Sequence, residues 1–88
     1  MEFIDVECSR AVVEKLHSKH GIGESEVHEA VFDHTHVRRG RGGLYQVYGR
    51  TDAGRYLFVV IRDLGRGRVR VVTGRDMTAQ ERRRYGRR

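Results

Sequence analysis

Arginine and tyrosine close the sequence in a pattern that suits contact with a phosphate backbone. Residues 68–71 read RVRV, and residues 82–88 hold five arginines around Tyr85 and one glycine. A planar guanidinium binds phosphate through two parallel hydrogen bonds and stacks on nucleobases. The alternative for a charged chain end is a solvated tail. We interpret the two segments together as one surface for a polyanion.

The two halves of the sequence carry opposite net charge. Residues 1–43 contain eight acidic and six basic residues, a net charge of −2, whereas residues 44–88 contain four acidic residues and twelve arginines, a net charge of +8. A field concentrated in one half of a small protein attracts nucleic acid or an acidic protein. These two classes of partner are therefore expected.

Length and composition predict one small globular domain in a reducing compartment. A chain of 88 residues forms a single domain, 1–88, with a modest core. Cys8 is the one cysteine, so no internal disulfide can form. The sequence contains no apolar run of membrane-spanning length, and its acidic start lacks the features of a signal peptide. We predict a cytoplasmic protein that makes no membrane contact.

Apolar periodicity predicts helices at the start of the chain and strands after them. The stretch EFIDV at 2–6 alternates like an edge strand; a helix then runs from an N-cap at Ser9 to Gly21, and a second helix ends near Phe32. Beyond Phe32 the apolar residues recur at every second position, which indicates strands within 35–43, 44–51, 55–63 and 68–75.

A last short helix is predicted from Thr78 to about Tyr85, because Thr78 and Glu81 form a capping-box pattern. The predicted fold class is α+β, with two N-terminal helices, a roughly four-stranded antiparallel sheet and a short C-terminal helix.

Strand alternation predicts that the sheet has one apolar and one cationic face. Tyr45 with Val47, and Val69 with Val71, are expected to face the core. Tyr48 and Arg50, and likewise Arg68, Arg70 and Val72, are expected on the other side.

Three segments together resemble a known family. They are SKHGI at 18–22, YGRTDAGRYLFVVI at 48–61 and RVRVVTGRDMTAQERRRY at 68–85. From about Leu16 to Tyr85 the chain is similar to the BrnT toxins, bacterial ribonucleases of type II toxin–antitoxin systems with a RelE-like fold. The resemblance implies a metal-independent endoribonuclease that inhibits growth and needs no cofactor. It also implies RNA as substrate and an acidic, DNA-binding antitoxin as partner, in a dimer or a heterotetramer with that antitoxin.

The chemistry of such an enzyme selects four candidate catalytic residues. Cleavage needs a base for the 2′-hydroxyl, cations for the pentavalent phosphate and an acid for the departing 5′ oxygen. Arg75 and Arg50 are assigned to the phosphate, although each is also placed to pair with a neighbouring aspartate. His20, at a helix C-terminus, is assigned as an acid, with a hydrogen bond to a backbone carbonyl as the alternative. Tyr85 is assigned to proton transfer, base stacking or anchoring of the last helix.

Further basic residues are predicted to bind RNA, namely Lys19, Arg62, Arg68, Arg70, Arg82 and Arg83. His34 and His36 are expected on one strand face, but two histidines are too few to predict a metal site. The glycine-rich stretches at 40–43 and 64–68 are interpreted as turns, since neither has the lysine and helix of a phosphate loop.

Two other classes of function fit the same residues. One is a nucleic-acid-binding module without catalysis, which is expected to bind in a salt-dependent manner. The other is an antitoxin-type interaction protein whose basic face seats an acidic partner.

Overall fold

The protein, a computed structural model, is described over residues 2–86, so Arg87 and Arg88 of the predicted arginine-rich segment lie outside the described residues. This part of the chain has the predicted α+β class. Its elements in chain order are β1 (Asp5–Glu7), α1 (Arg10–His20), α2 (Glu24–Phe32), β2 (His34–Arg39), β3 (Leu44–Arg50), β4 (Tyr56–Gly65), β5 (Arg68–Asp76) and α3 (Ala79–Tyr85).

The ends of α1 follow from local side-chain chemistry. The Ser9 hydroxyl accepts a hydrogen bond from the Val12 amide at 3.3 Å. Gly21 ends the helix with φ +62°, a conformation that glycine adopts without a steric penalty. Both predicted ends of the first helix are confirmed.

The last helix begins at the predicted capping box. The Thr78 hydroxyl accepts from the Glu81 amide at 3.1 Å, and the Glu81 carboxylate accepts from the Thr78 amide at 2.9 Å. This reciprocal pair satisfies backbone donors that a helix start leaves free. No helix within residues 2–86 is long and apolar enough to cross a membrane.

The sheet has five strands in the order β1-β5-β4-β3-β2. Strands β2 to β5 form the predicted antiparallel meander, but β1 adds a fifth strand that runs parallel to β5, with Val6 opposite Val69. The prediction of a roughly four-stranded antiparallel sheet is therefore corrected: the sheet has a fifth strand, and that strand is parallel to its neighbour. A three-residue strand carries too short a pattern to show which distant strand it joins, and the burial of Val6 in the core decides the pairing.

Helices α1 and α2 cover one face of the sheet, here called the helix-covered face; the opposite side is the outer face. Gly49 of β3 marks the closest approach of α2, because a Cβ atom there would lie 1.8 Å from the Ala30 carbonyl oxygen. The core between the layers is built from Leu16, Ile22, Val27, Val31, Val47, Leu57, Val59, Ile61, Val69 and Val71.

A bulge in β5 decides which way Arg75 points. Ile61 pairs with Val71 and the preceding Val60 with Thr73, so Val72 has no partner on β4. One extra residue in a strand moves every side chain after it to the opposite face of the sheet. Without the bulge, Arg75 would point to the same side as Val71, into the core. With it, Arg75 joins the arginines of the outer face.

Candidate functional site on the outer sheet face

Helix α3 crosses the outer face and covers one end of it. Beneath the helix, Tyr48, Phe58 and Arg75 lie side by side on three adjacent strands. Tyr85 descends from α3, and His36 contributes from β2. The residues His36, Tyr48, Phe58, Arg75 and Tyr85 are called the aromatic end.

Tyr48 is the buried centre of the aromatic end. It is 3% exposed, and its ring stacks on that of Tyr85 with centroids 4.1 Å apart and lies 5.2 Å from Phe58. Burial raises the pKa of Tyr48, and the charge of Glu81 raises it further, while Arg38 acts in the opposite direction. The Tyr48 hydroxyl is therefore protonated at neutral pH.

Tyr85 both anchors α3 and presents a hydroxyl. Its ring stacks on His36 at 4.8 Å as well as on Tyr48. Its backbone carbonyl accepts a hydrogen bond from the Thr35 hydroxyl. The Tyr85 hydroxyl accepts from Arg38 Nη1 at 3.1 Å. The expected anchoring role is therefore present, together with a phenol–guanidinium pair at the surface.

Arg75 makes a two-point ion pair with Glu81, whereas the alternative considered from the sequence was a pair with the Asp76 carboxylate. Nη1 lies 2.7 Å from Glu81 Oε1 and Nη2 lies 3.1 Å from Oε2. Nη1 also donates to the Asp76 backbone carbonyl at 3.0 Å, and the guanidinium carbon lies 4.2 Å from the centre of the Phe58 ring. The hydrogen bonds from Arg75 are the main cause that lowers the pKa of Glu81.

These contacts leave Arg75 with limited capacity for a ligand. A guanidinium has five N–H donors, and three of them are engaged in the bonds just described. The side chain is 39% exposed. A phosphate can therefore reach the two remaining donors, or it must displace Glu81.

Arg50, Arg82 and Arg83 surround Tyr56 beside the aromatic end. Arg50 is the cross-strand partner of Tyr56, and the Arg82 guanidinium carbon lies 4.9 Å from the Tyr56 ring centre. A groove here is lined by Tyr56, Ala79, Arg82, Arg83 and Gly86. Within residues 2–86 none of these arginines belongs to an ion pair, so the alternative pair between Arg50 and Asp52 is not formed.

The far end of the outer face carries Arg62, Arg68 and Arg70, here called the arginine end. Arg62 lies directly opposite Arg70 on the neighbouring strand and donates to the Gly42 carbonyl at 3.1 Å. Glu7 of β1 lies 3.2 Å from Arg68 and 3.5 Å from Arg70. These three of the five arginines predicted to bind RNA share the outer face, and two of the three, Arg68 and Arg70, are paired with an acid.

His20 and Lys19 lie on α1, which packs on the helix-covered face. The His20 carbonyl accepts a hydrogen bond from Arg55 Nη2 at 2.8 Å, and Lys19 is exposed. No contact in the described chain joins either residue to the aromatic end. The expected grouping of His20 with Arg75 and Tyr85 therefore has no support in this geometry, and the roles of His20 and Lys19 stay predictions.

His34 and His36 do not share a face, contrary to expectation. The pairing of β2 with β3 is irregular between them, which turns the two side chains apart. The His34 ring packs on Phe3 of the core at 5.0 Å, while His36 stacks on Tyr85. Across residues 2–86 no group of three or more His, Cys, Asp or Glu side chains is placed to hold a metal ion.

Arg38 is the residue of this site that sequence reasoning missed. It reaches the Tyr85 hydroxyl and acts electrostatically on Tyr48, and no acid is paired with it in the described structure. Alternation along β2 places it on the same side as His36. The two-residue period that assigns the faces of β3 and β5 also identifies Arg38 when it is extended through β2.

The sequence matches no family model and no curated protein. Among solved structures, the protein is similar to the crystal structure of the ribonuclease toxin BrnT from Brucella abortus, with a TM-score of 0.71 and 13% sequence identity. The match covers 85% of this chain and 97% of that chain. The likeness confirms the expected architecture: this protein has a BrnT-like fold.

Proposed function

We propose that this protein is the toxin of a type II toxin–antitoxin system and a metal-independent endoribonuclease that inhibits translation and growth. The fold shared with a ribonuclease toxin supports the proposal. The observation that carries it is the meeting of acid–base and cationic side chains at the aromatic end. Three separate segments, within β2, β3 and β5–α3, supply His36, Arg38, Tyr48, Arg75 and Tyr85.

The proposed reaction is attack of the RNA 2′ oxygen on the adjacent phosphorus. The new O2′–P bond forms as the P–O5′ bond breaks, which leaves a 2′,3′-cyclic phosphate and a 5′-hydroxyl. His36 accepts the proton of the 2′-hydroxyl, since imidazole is the usual general base in proteins. The Tyr85 hydroxyl donates a proton to the 5′ oxygen. Arg38 and the free donors of Arg75 hold the charged phosphate.

Cleavage of RNA by the purified protein tests the assignment of Arg75. In the presence of a metal chelator, the parent protein is expected to cleave single-stranded RNA. Arg75→Ala is expected to lower the rate about 10²- to 10³-fold, as loss of one oxyanion donor does. Arg75→Lys keeps the charge without the two-point geometry, and its cleavage rate is expected to lie between those of the parent and Arg75→Ala. Circular dichroism verifies that both variants are folded.

Arg10→Ala is the matched control, because Arg10 is 92% exposed and pairs with Glu14 on α1. It is expected to cleave like the parent. Intact RNA at high protein concentration, or equal rates for the parent and Arg75→Ala, would refute the proposal.

Expression in cells tests the toxin assignment. Induction of the gene alone is expected to arrest growth and to cause degradation of cellular RNA. Co-expression of a neighbouring antitoxin gene is expected to restore growth and to keep the RNA intact. We propose that the antitoxin is acidic and covers the outer face. A complex that leaves Arg50, Arg70 and Arg75 open to solvent would contradict this mode of inhibition.

A second candidate function is a nucleic-acid-binding module without catalysis. Two observations favour it: Glu81 and the Asp76 carbonyl engage three of the five Arg75 donors, and His20 lies away from the aromatic end. Binding that weakens with salt but yields no cleavage product would select this function over the first.

A further inference from the structure

We infer that the groove between Tyr56 and α3 binds one unstacked nucleobase of single-stranded RNA, next to the aromatic end. The inference rests on the proposed function only in taking RNA as the ligand. It does not require the protein to cleave that RNA.

The groove combines a ring with cations. Its lining residues Tyr56, Arg82 and Arg83 come from β4 and α3, and its volume is about 350 Å³. This is near the lower limit for pockets that enclose small ligands. The Arg82 guanidinium lies 4.9 Å from the Tyr56 ring centre. A base can stack on the guanidinium or on the ring, because both present flat π surfaces.

The charge of the groove favours an anionic ligand. None of the ion pairs found in residues 2–86 includes Arg82 or Arg83. Asp76 lines an adjoining hollow that also contains Tyr56, but Arg55 binds both of its carboxylate oxygens, at 2.7 and 3.0 Å. The Asp76 carboxylate is thus neutralised by its two-point pair with Arg55, and Arg82 and Arg83 set the local charge of the groove.

The position of the groove suits a strand of RNA that continues into the aromatic end. Tyr56 and Phe58 are two residues apart on the same side of β4, which is roughly 7 Å along a strand. Phe58 lies under the Arg75 guanidinium. One nucleotide of an extended single strand covers this distance. A phosphate at Arg75 therefore places the neighbouring base at Tyr56, whereas a duplex keeps its bases stacked and out of reach.

Binding of a 2′-O-methyl oligonucleotide tests the inference, because such RNA lacks the attacking hydroxyl and cannot be cleaved. With a fluorescent 2′-O-methyl hexanucleotide, Tyr56→Ala is expected to weaken binding about tenfold, the size of one base–aromatic stack. Tyr56→Phe keeps the ring and is expected to bind like the parent. Arg10→Ala serves as the control for loss of a distant arginine. An unchanged affinity for a folded Tyr56→Ala protein would overturn the inference.

Two further binding measurements distinguish recognition of the base from recognition of its phosphate and from binding of an acidic peptide. An abasic version of the oligonucleotide is expected to bind the parent less tightly and to be insensitive to Tyr56→Ala. If the substitution weakens binding of an oligoglutamate peptide as much as that of RNA, the groove is a general anion site and the inference fails.

Photo-crosslinking decides the question on the parent protein, even if Tyr56→Ala does not fold. An oligonucleotide that carries 5-bromouridine is expected to crosslink to Tyr56, as located by mass spectrometry. Crosslinks confined to other residues would overturn the inference. Tyr56-dependent binding without any cleavage of ordinary RNA would leave the inference standing while the proposed ribonuclease function fails.

Discussion

The two faces of the sheet use arginine in opposite ways. On the helix-covered face, Arg55 binds the Gly21 and His20 carbonyls at the end of α1, at 2.9 and 2.8 Å, and both oxygens of Asp76. Nη1 also lies 3.4 Å from Glu26 of α2. All five donors of this guanidinium are engaged within the protein, so Arg55 joins elements and has no capacity for a ligand.

Arg75 on the outer face shares part of this arrangement and differs in two respects. It also binds a carboxylate at two points, but two of its donors have no partner within residues 2–86, and its side chain is more exposed, 39% against 29% for Arg55. Counting the engaged donors therefore separates a structural arginine from one able to bind phosphate. Exposure alone would not separate them clearly.

Gly49→Ala is expected to have the largest effect on stability, because it disrupts the packing of the helix-covered face. The added methyl group would overlap the Ala30 backbone carbonyl, which cannot move without shifting α2. We expect a loss of about 3 kcal/mol or more in the free energy of unfolding, measured by urea denaturation. Gly74→Ala is the matched control, since its nearest neighbour lies at an ordinary 3.4 Å. Equal stability of the two variants would contradict the close approach of α2.

Arg55→Ala is expected to destabilise the protein by roughly 2 kcal/mol without changing RNA binding. The substitution leaves helix-end carbonyls and Asp76 without their charged donor, and hydrogen bonds to charged groups are the stronger class. Urea denaturation measures the loss, with Arg10→Ala as a surface-pair control expected to stay within about 0.5 kcal/mol. Normal stability combined with weakened RNA binding would show that Arg55 serves the ligand after all.

Glu81→Gln is expected to make the stability of the protein less sensitive to acid, because it removes a titrating group of the outer face. The Arg75 pair and the cap lower the pKa of Glu81 below its ordinary 4.5. A lowered carboxyl pKa adds stability that is complete above about pH 4.5 and is lost as the pH falls through the lower folded value. The melting temperature is expected to fall less steeply between pH 7 and pH 3 for Glu81→Gln than for the parent. Parallel curves would show that the pair adds no stability.

Arg68→Ala is expected to have the smallest effect on stability, within about 0.5 kcal/mol, despite its two acidic neighbours. Exposed ion pairs contribute little, and the Arg68 side chain is 56% exposed. If the arginine end contacts phosphate, the slope of log affinity against log salt falls by about one. A loss of several kcal/mol would instead make the arginine end part of the structural framework.

Sequence reasoning succeeded where the determinants are local. Ser9, Gly21, Thr78 and Glu81 act on backbone groups within a few residues of themselves, so the ends of α1 and α3 were predictable. It failed where strand pairing between distant segments set the answer. The parallel partner of β1 and the separation of His34 from His36 belong to this second class.

The sequence by itself determined the helices, the strand periods and a basic second half suited to a polyanion, because each depends on residue type and on spacing of a few positions. Only the tertiary structure decided which charges meet. One unpaired residue, Val72, turns Arg75 outward, and the pairing of Glu81 with Arg75 consumes donors that the sequence leaves open. Register and side-chain competition depend on contacts between segments far apart in the chain, and no local pattern encodes them.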